Sequence, residues 1–83
     1  MMLIFKKITD LCPEQWEVYK GSKKVGYIRL RSGRLTCRCP DYWGEVIYSH
    51  VFDDGMKGCF DSDEERNAFF DECRAAIQKR VSK

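Results

Sequence analysis

No apolar run in the 83-residue chain approaches the roughly 18–20 residues that a membrane-spanning helix needs, so a helical span is excluded. No internal repeat, low-complexity tract or linker-like stretch divides the chain, which leaves one small domain over 1–83. The motifs that usually announce a reaction are also missing. There is no glycine-rich phosphate loop, no HExxH and no GxSxG. Histidine occurs once, as His50, so any nucleophile–base couple would have to use that one ring. Charge of one sign does not dominate either. A net charge of +2 does not describe a uniformly basic nucleic-acid binder. The apolar stretch at residues 2–5 is too short for a signal-peptide core, and Lys6 and Lys7 follow it rather than precede it. The expectation is a reducing cytosol with free thiols.

What is present is a folded-domain composition, since an aromatic content of 13% argues against disorder. Residues 2–8 suit a short edge strand. Residues 16–20, 25–31, 34–39 and 45–52 carry the aromatic and β-branched residues that strands favour. Cys12-Pro13, Gly21-Ser22, Ser32-Gly33, Pro40 and Asp53-Asp54-Gly55 punctuate them. Ser62 with Glu65 forms a capping box. Phe69, Phe70, Cys73, Ala76, Ile77 and Val81 then recur at helical spacing. Acids crowd the first turn and Lys79, Arg80 and Lys83 the last, as the helix dipole prefers. The expected fold is α+β: an antiparallel meander of three or four strands within 2–60, packed on one C-terminal helix over about 63–81.

The Ser32-Gly33 turn predicts a register. Arg31 falls opposite Arg34, Leu30 opposite Leu35, Arg29 opposite Thr36, Ile28 opposite Cys37 and Tyr27 opposite Arg38. Alternation then separates two faces. Ile28, Leu30, Leu35, Cys37 and Cys39 belong under the helix. Tyr27, Arg29, Arg31, Arg34, Thr36 and Arg38 point away from it. Like charges directly opposed are destabilising, so four arginines on one hairpin face need an answer. Either Glu17, Glu45 or the acids at 53–54 neutralise them, or an external anion does. In the 41–44 loop, Trp43 either folds back over the open end of the sheet or stands out beside Tyr42 as an anchor. Charge is also split along the chain: residues 1–40 hold nine bases and three acids, residues 41–83 six bases and ten acids. Asp63, Glu64, Asp71 and Glu72 give the helix an acidic face.

The five cysteines read mainly as small buried core residues. Cys37, Cys39, His50 and Cys59 have the composition of a Cys3His zinc set. C-x-C within a strand splays its ligands, so no metal is expected. Cys59 beside His50 would be the one thiol–imidazole couple, with nothing further to support it. No cofactor and no enzymatic activity are expected.

The pattern Trp16-Glu-Val-Tyr-Lys-Gly-x3-Val25-Gly-Tyr-Ile-Arg-Leu-Arg-x-Gly33, followed by Pro40-Asp41 and Gly44-Glu45-Val-Ile-Tyr48, resembles small proteins of bacteriophages and bacterial mobile elements over about residues 16–72. That resemblance implies a bacterial cytoplasm and stoichiometric binding of a host protein. Anti-CRISPR and other anti-defence inhibitors are the best-known proteins that act so. It carries over no catalytic residue. The leading expectation is a non-enzymatic inhibitor of a nucleic-acid-binding defence protein such as a CRISPR effector. It would use Tyr27, Arg29, Arg31, Arg34, Arg38, Tyr42 and Trp43. The alternatives are a nucleic-acid-binding accessory protein using the arginine face, and an oligomer that sequesters an anionic nucleotide signal.

Overall fold

A computed structural model describes residues 2–81. Five strands precede one helix: β1 (Ile4–Lys7), β2 (Glu14–Lys20), β3 (Lys23–Arg31), β4 (Arg34–Cys39), β5 (Glu45–Val51) and α1 (Asp63–Val81). The strands form one antiparallel sheet in chain order, β1-β2-β3-β4-β5. The α+β meander stands as expected, but with five strands instead of three or four. The extra one is β1, which pairs with β2 through Phe5 opposite Val18 and Lys7 opposite Trp16.

Register and side-chain alternation explain where the core lies. Ile28, Leu30, Leu35 and Cys37 occupy one face of the β3–β4 hairpin and are fully buried. Val18 and Val25 join them, and α1 closes the layer with Phe70, Cys73 and Ile77. These three helix residues are spaced three and four apart, so one stripe faces the sheet. Burying each large apolar side chain contributes about 1.5–3 kcal/mol. The helix approaches β3 closely at Gly26, where a Cβ atom would sit 2.7 Å from Ile77 Cδ1. Phe69 and Val81 are only partly buried at the stripe's margin. An aromatic cluster seals one end, where Phe70 stacks on Phe5 at 4.7 Å between centroids and meets Trp16 edge-on at 5.0 Å.

The helix starts as its sequence dictates. Glu65 N–H donates to Ser62 Oγ (3.0 Å), and Asp61 N–H donates to the Glu65 carboxylate (2.8 Å). Lys57 is buried against the same carboxylate. Its ammonium lies 3.2 Å from Glu65, 2.9 Å from Asp61 and 5.2 Å from the Phe52 ring centroid. Hydrogen bonds to Asp61 and Glu65 push its pKa above the ordinary lysine value.

Glu14 is buried on the inner side, opposite Leu30. Its carboxylate accepts hydrogen bonds from Trp16 Nε1 (3.0 Å) and Phe60 N–H (2.8 Å), while its own N–H donates to Gly58 C=O (2.8 Å). Those bonds fasten the segment before the helix to the start of β2. They bring Cys12 and Cys59 together with Cα atoms 5.6 Å apart, and the two form a disulfide. The expectation of free thiols is thereby corrected for this pair and holds for buried Cys37, Cys39 and Cys73.

Candidate functional site

The outward face of the β3–β4 hairpin is where the fold leaves charge unanswered. The register is the one the sequence predicts, with Arg31 opposite Arg34, Arg29 opposite Thr36 and Tyr27 opposite Arg38. Ser32 and Gly33 both take positive φ, 53° and 73°, which two-residue hairpin turns require. The turn is clamped from one side. Gly33 N–H donates to Lys57 C=O (2.8 Å), and Phe52 N–H donates to Gly33 C=O (2.7 Å). Gly33 is needed for space as well as conformation, because a Cβ there would lie 2.5 Å from Asp54 O. A rigid turn thus fixes the two backbone positions from which Arg31 and Arg34 project.

Among the described residues, Arg29, Arg31 and Arg34 make no ion pair. The acids expected to neutralise them are mostly committed elsewhere. Glu17 pairs with Lys24 and also accepts from Tyr19 Oη at 3.1 Å. The Lys24 hydrogen bond holds the Glu17 carboxyl below its ordinary pKa and raises that of Lys24. Glu45 pairs with Arg80 on the helix. Asp54 accepts from Met56 N–H at 2.8 Å, and Asp53 is exposed with no ion pair among the described residues. A shallow depression lined by Arg29, Arg31, Ser32, Arg34 and Thr36 remains.

Tyr27 departs from expectation. It is only 4% exposed, so it offers no stacking surface. Its hydroxyl donates to Gln15 Oε1 (2.6 Å), and burial pushes its pKa up. The cover is Tyr42, whose ring centroid lies 5.2 Å from that of Tyr27. Tyr42 also lies 5.6 Å from the Arg29 guanidinium, which holds that arginine over an aromatic face. Arg38 is committed too, donating from Nη1 to Gly44 C=O (3.0 Å) and so bracing the 40–44 loop. Trp43 does not fold back over the sheet. It contacts Tyr42 edge-on at 4.8 Å and is 88% exposed. Asp41 fixes the loop by accepting from Trp43 N–H at 3.0 Å.

Seven residues singled out from sequence therefore divide by role. Arg29, Arg31, Arg34, Tyr42 and Trp43 belong to an accessible surface, while Tyr27 is buried beneath it and Arg38 braces its loop through Gly44. Sequence reasoning missed Gln15 as the partner of Tyr27. It also missed the clamping segment 52–58, whose only local sign is the glycine in the turn. The other chemistry considered does not assemble. Cys59 is tied to Cys12, and His50 packs at 4.7 Å against both Phe52 and Phe69. No group of three or more His, Cys, Asp or Glu with metal-holding geometry occurs among the described residues. Cys73 meets Cys37 across the helix–sheet interface. The hydrogen bond between them, with burial, drives the Cys73 thiol pKa far up. Cys39 is raised by burial. Such thiols are poor nucleophiles and poor ligands in the folded state.

On the helix, Asp63 pairs with Arg66 and Asp71 with Arg74, both one turn away. That pairing takes two of the four acids out of the acidic helix face. No helix is long and apolar enough to cross a membrane among the described residues. No protein-family model, curated protein or solved structure matches this chain.

Proposed function

We propose that the protein is a non-enzymatic binding module that docks an acidic surface of a partner protein with its outward sheet face. One observation carries this reading. Arg29, Arg31 and Arg34 stand together without carboxylate partners among the described residues, while Glu17 and Glu45 are spent on Lys24 and Arg80. Beside them, Tyr42 and Trp43 project from a braced loop. Arginine, tyrosine and tryptophan are the residues that most often dominate binding energy in interfaces. The resemblance of the sequence pattern to phage and mobile-element proteins makes a host defence protein, such as a CRISPR effector, the first class of partner to test, with inhibition by occlusion as the mechanism.

Nucleic-acid binding is the competing reading. Burial of Tyr27 removes the stacking ring on the hairpin itself and leaves only Tyr42 and Trp43 of the neighbouring loop for that role, so this reading becomes an outcome of the test. The test is affinity capture from bacterial lysate with and without nuclease, using wild type and the double variant Arg29→Glu/Arg31→Glu. A stoichiometric protein that survives nuclease and is lost with the double variant is the expected result. Nucleic acid alone, lost on nuclease treatment and with an affinity falling steeply with salt, would move the assignment to phosphate-backbone binding. Full capture by the double variant would sink the arginine face altogether.

A further inference from the structure

We propose that Arg29, Arg31 and Arg34, together with the hydroxyls of Ser32 and Thr36, form a binding site for one phosphate-monoester group. The proposal deepens the docking reading and rests on it only for the choice of face.

These five residues line one depression, and three of them are permanently charged. Directly opposed residues flanking a two-residue turn have Cα atoms about 5.5 Å apart, so Arg31 and Arg34 repel each other in the free protein. A dianion between them turns that repulsion into two attractions. The donor inventory selects the ligand. A carboxylate has two oxygens, which a single arginine fork can occupy in a bidentate pair. Three guanidinium groups and two hydroxyls offer far more donors than a carboxylate can accept. They suit the three terminal oxygens and roughly −1.5 to −2 charge of a phosphate monoester.

Preorganisation supports the same conclusion. Arg29 is held over the Tyr42 ring, 5.6 Å from its centroid. The turn between Arg31 and Arg34 is fixed by the Gly33 hydrogen bonds to Lys57 and Phe52. Little backbone ordering then remains to be done on binding. Asp53 and Asp54 lie in the clamping loop. Asp54 is engaged by Met56 N–H, and neither pairs with the three arginines. Arg29 also borders Tyr42, which touches Trp43, so a ring attached to the phosphate has aromatic surface within reach.

The experiment is a titration of the intact 15N-labelled protein, followed by amide chemical shifts at constant ionic strength. At pH ~7.5 the second ionisation of a phosphate monoester, with pKa about 6, is essentially complete. The probes are inorganic phosphate, phosphoserine, 5′-AMP and acetate. Saturable shifts confined to residues 29–36, about tenfold tighter for the phosphates than for acetate, are expected. The variant Arg31→Ala/Arg34→Ala should weaken phosphate about tenfold or more while leaving the core resonances in place. Arg31→Lys should weaken it less than Arg31→Ala, because charge is kept but the fork is lost. Equal affinity for phosphoserine and 5′-AMP supports recognition of the phosphate group alone. Tighter 5′-AMP with a shifted Trp43 indole resonance supports a nucleotide as its source.

Non-saturating shifts, equal response to acetate, or an unaffected double alanine variant would overturn the inference. Partner capture through the arginines without phosphate binding would defeat this inference and leave the docking reading standing. Phosphate binding with partner capture unchanged by Arg29→Glu/Arg31→Glu would do the reverse.

Discussion

The two faces of the β3–β4 hairpin are built from alternating residues of the same two strands, yet they are completed in opposite ways. On the inner face every apolar side chain meets another: Leu30 and Leu35 lie opposite each other, Ile28 lies opposite Cys37, and Phe70, Cys73 and Ile77 cover them from the helix. On the outer face Arg29, Arg31 and Arg34 meet nothing of opposite sign among the described residues, although the chain holds 13 acids. The inner face was selected for what it does within the molecule. The outer face carries a repulsion that serves nothing within the molecule, which is why it reads as a surface for something else.

The contrast can be broken most severely from inside. Leu30→Asp places a carboxylate in the apolar core opposite the carboxylate of Glu14, at a site with no exposure. The cost of burying an unpaired charge exceeds the ~3–5 kcal/mol that a core of this size supplies. Circular dichroism should show an unfolded chain, whereas Arg31→Asp, one residue away in sequence, should melt cooperatively.

Next in size is the Cys12–Cys59 link, which closes a loop of 47 residues. The chain-entropy model gives about 4 kcal/mol for a loop of that length. Cys12→Ser should lower the melting temperature by tens of degrees or leave the protein largely unfolded. Thiol reductant should have the same effect on wild type and none on the variant. A variant as stable as wild type would show that Glu14 and its hydrogen bonds hold the two segments without the bridge.

Gly33→Ala sits where the two faces share a turn. It adds a Cβ 2.5 Å from Asp54 O at a φ of 73°. Strain of this kind costs about 1–3 kcal/mol. We expect reduced thermal stability together with broadened amide resonances at residues 31–34. The smallest effect has the opposite sign. Arg31→Glu replaces a repulsive cross-strand pair with an attractive one opposite Arg34, worth about 0.2–1 kcal/mol. The variant should unfold at slightly higher denaturant than wild type, with the gain shrinking in high salt, while losing partner and phosphate alike.

Much of this was legible in the chain, for local reasons. Ser32-Gly33 between alternating runs fixes the hairpin register, and register alone sorts the arginines from the core. Ser62 and Glu65 fix the helix start, and the 3–4 spacing of Phe70, Cys73 and Ile77 fixes its buried stripe. What escaped depends on segments distant in sequence. Tyr27 looks outward by alternation and does point outward. Its burial comes from the 40–44 loop laying Tyr42 over it, which no periodicity encodes. Pairing of Cys12 with Cys59 follows from Glu14, an acid opposite Leu30 that alternation places inward and composition places outside. Exposure of Trp43 was open in the sequence, and the Asp41 and Arg38 contacts decide it. Within segment 2–8, Ile4–Lys7 is a strand only because β2 accepts it, which is why an expectation of three or four strands falls short of five.

The strand order has a kinetic consequence. Each strand pairs only with its neighbours in the chain, so the sheet can assemble hairpin by hairpin while the protein is being synthesised, without waiting for distant segments. The helix emerges last and supplies the lid of the core. Until Phe70, Cys73 and Ile77 have left the ribosome, the nascent sheet displays its apolar side bare, and its arginine side is already as wet as it will be in the finished molecule.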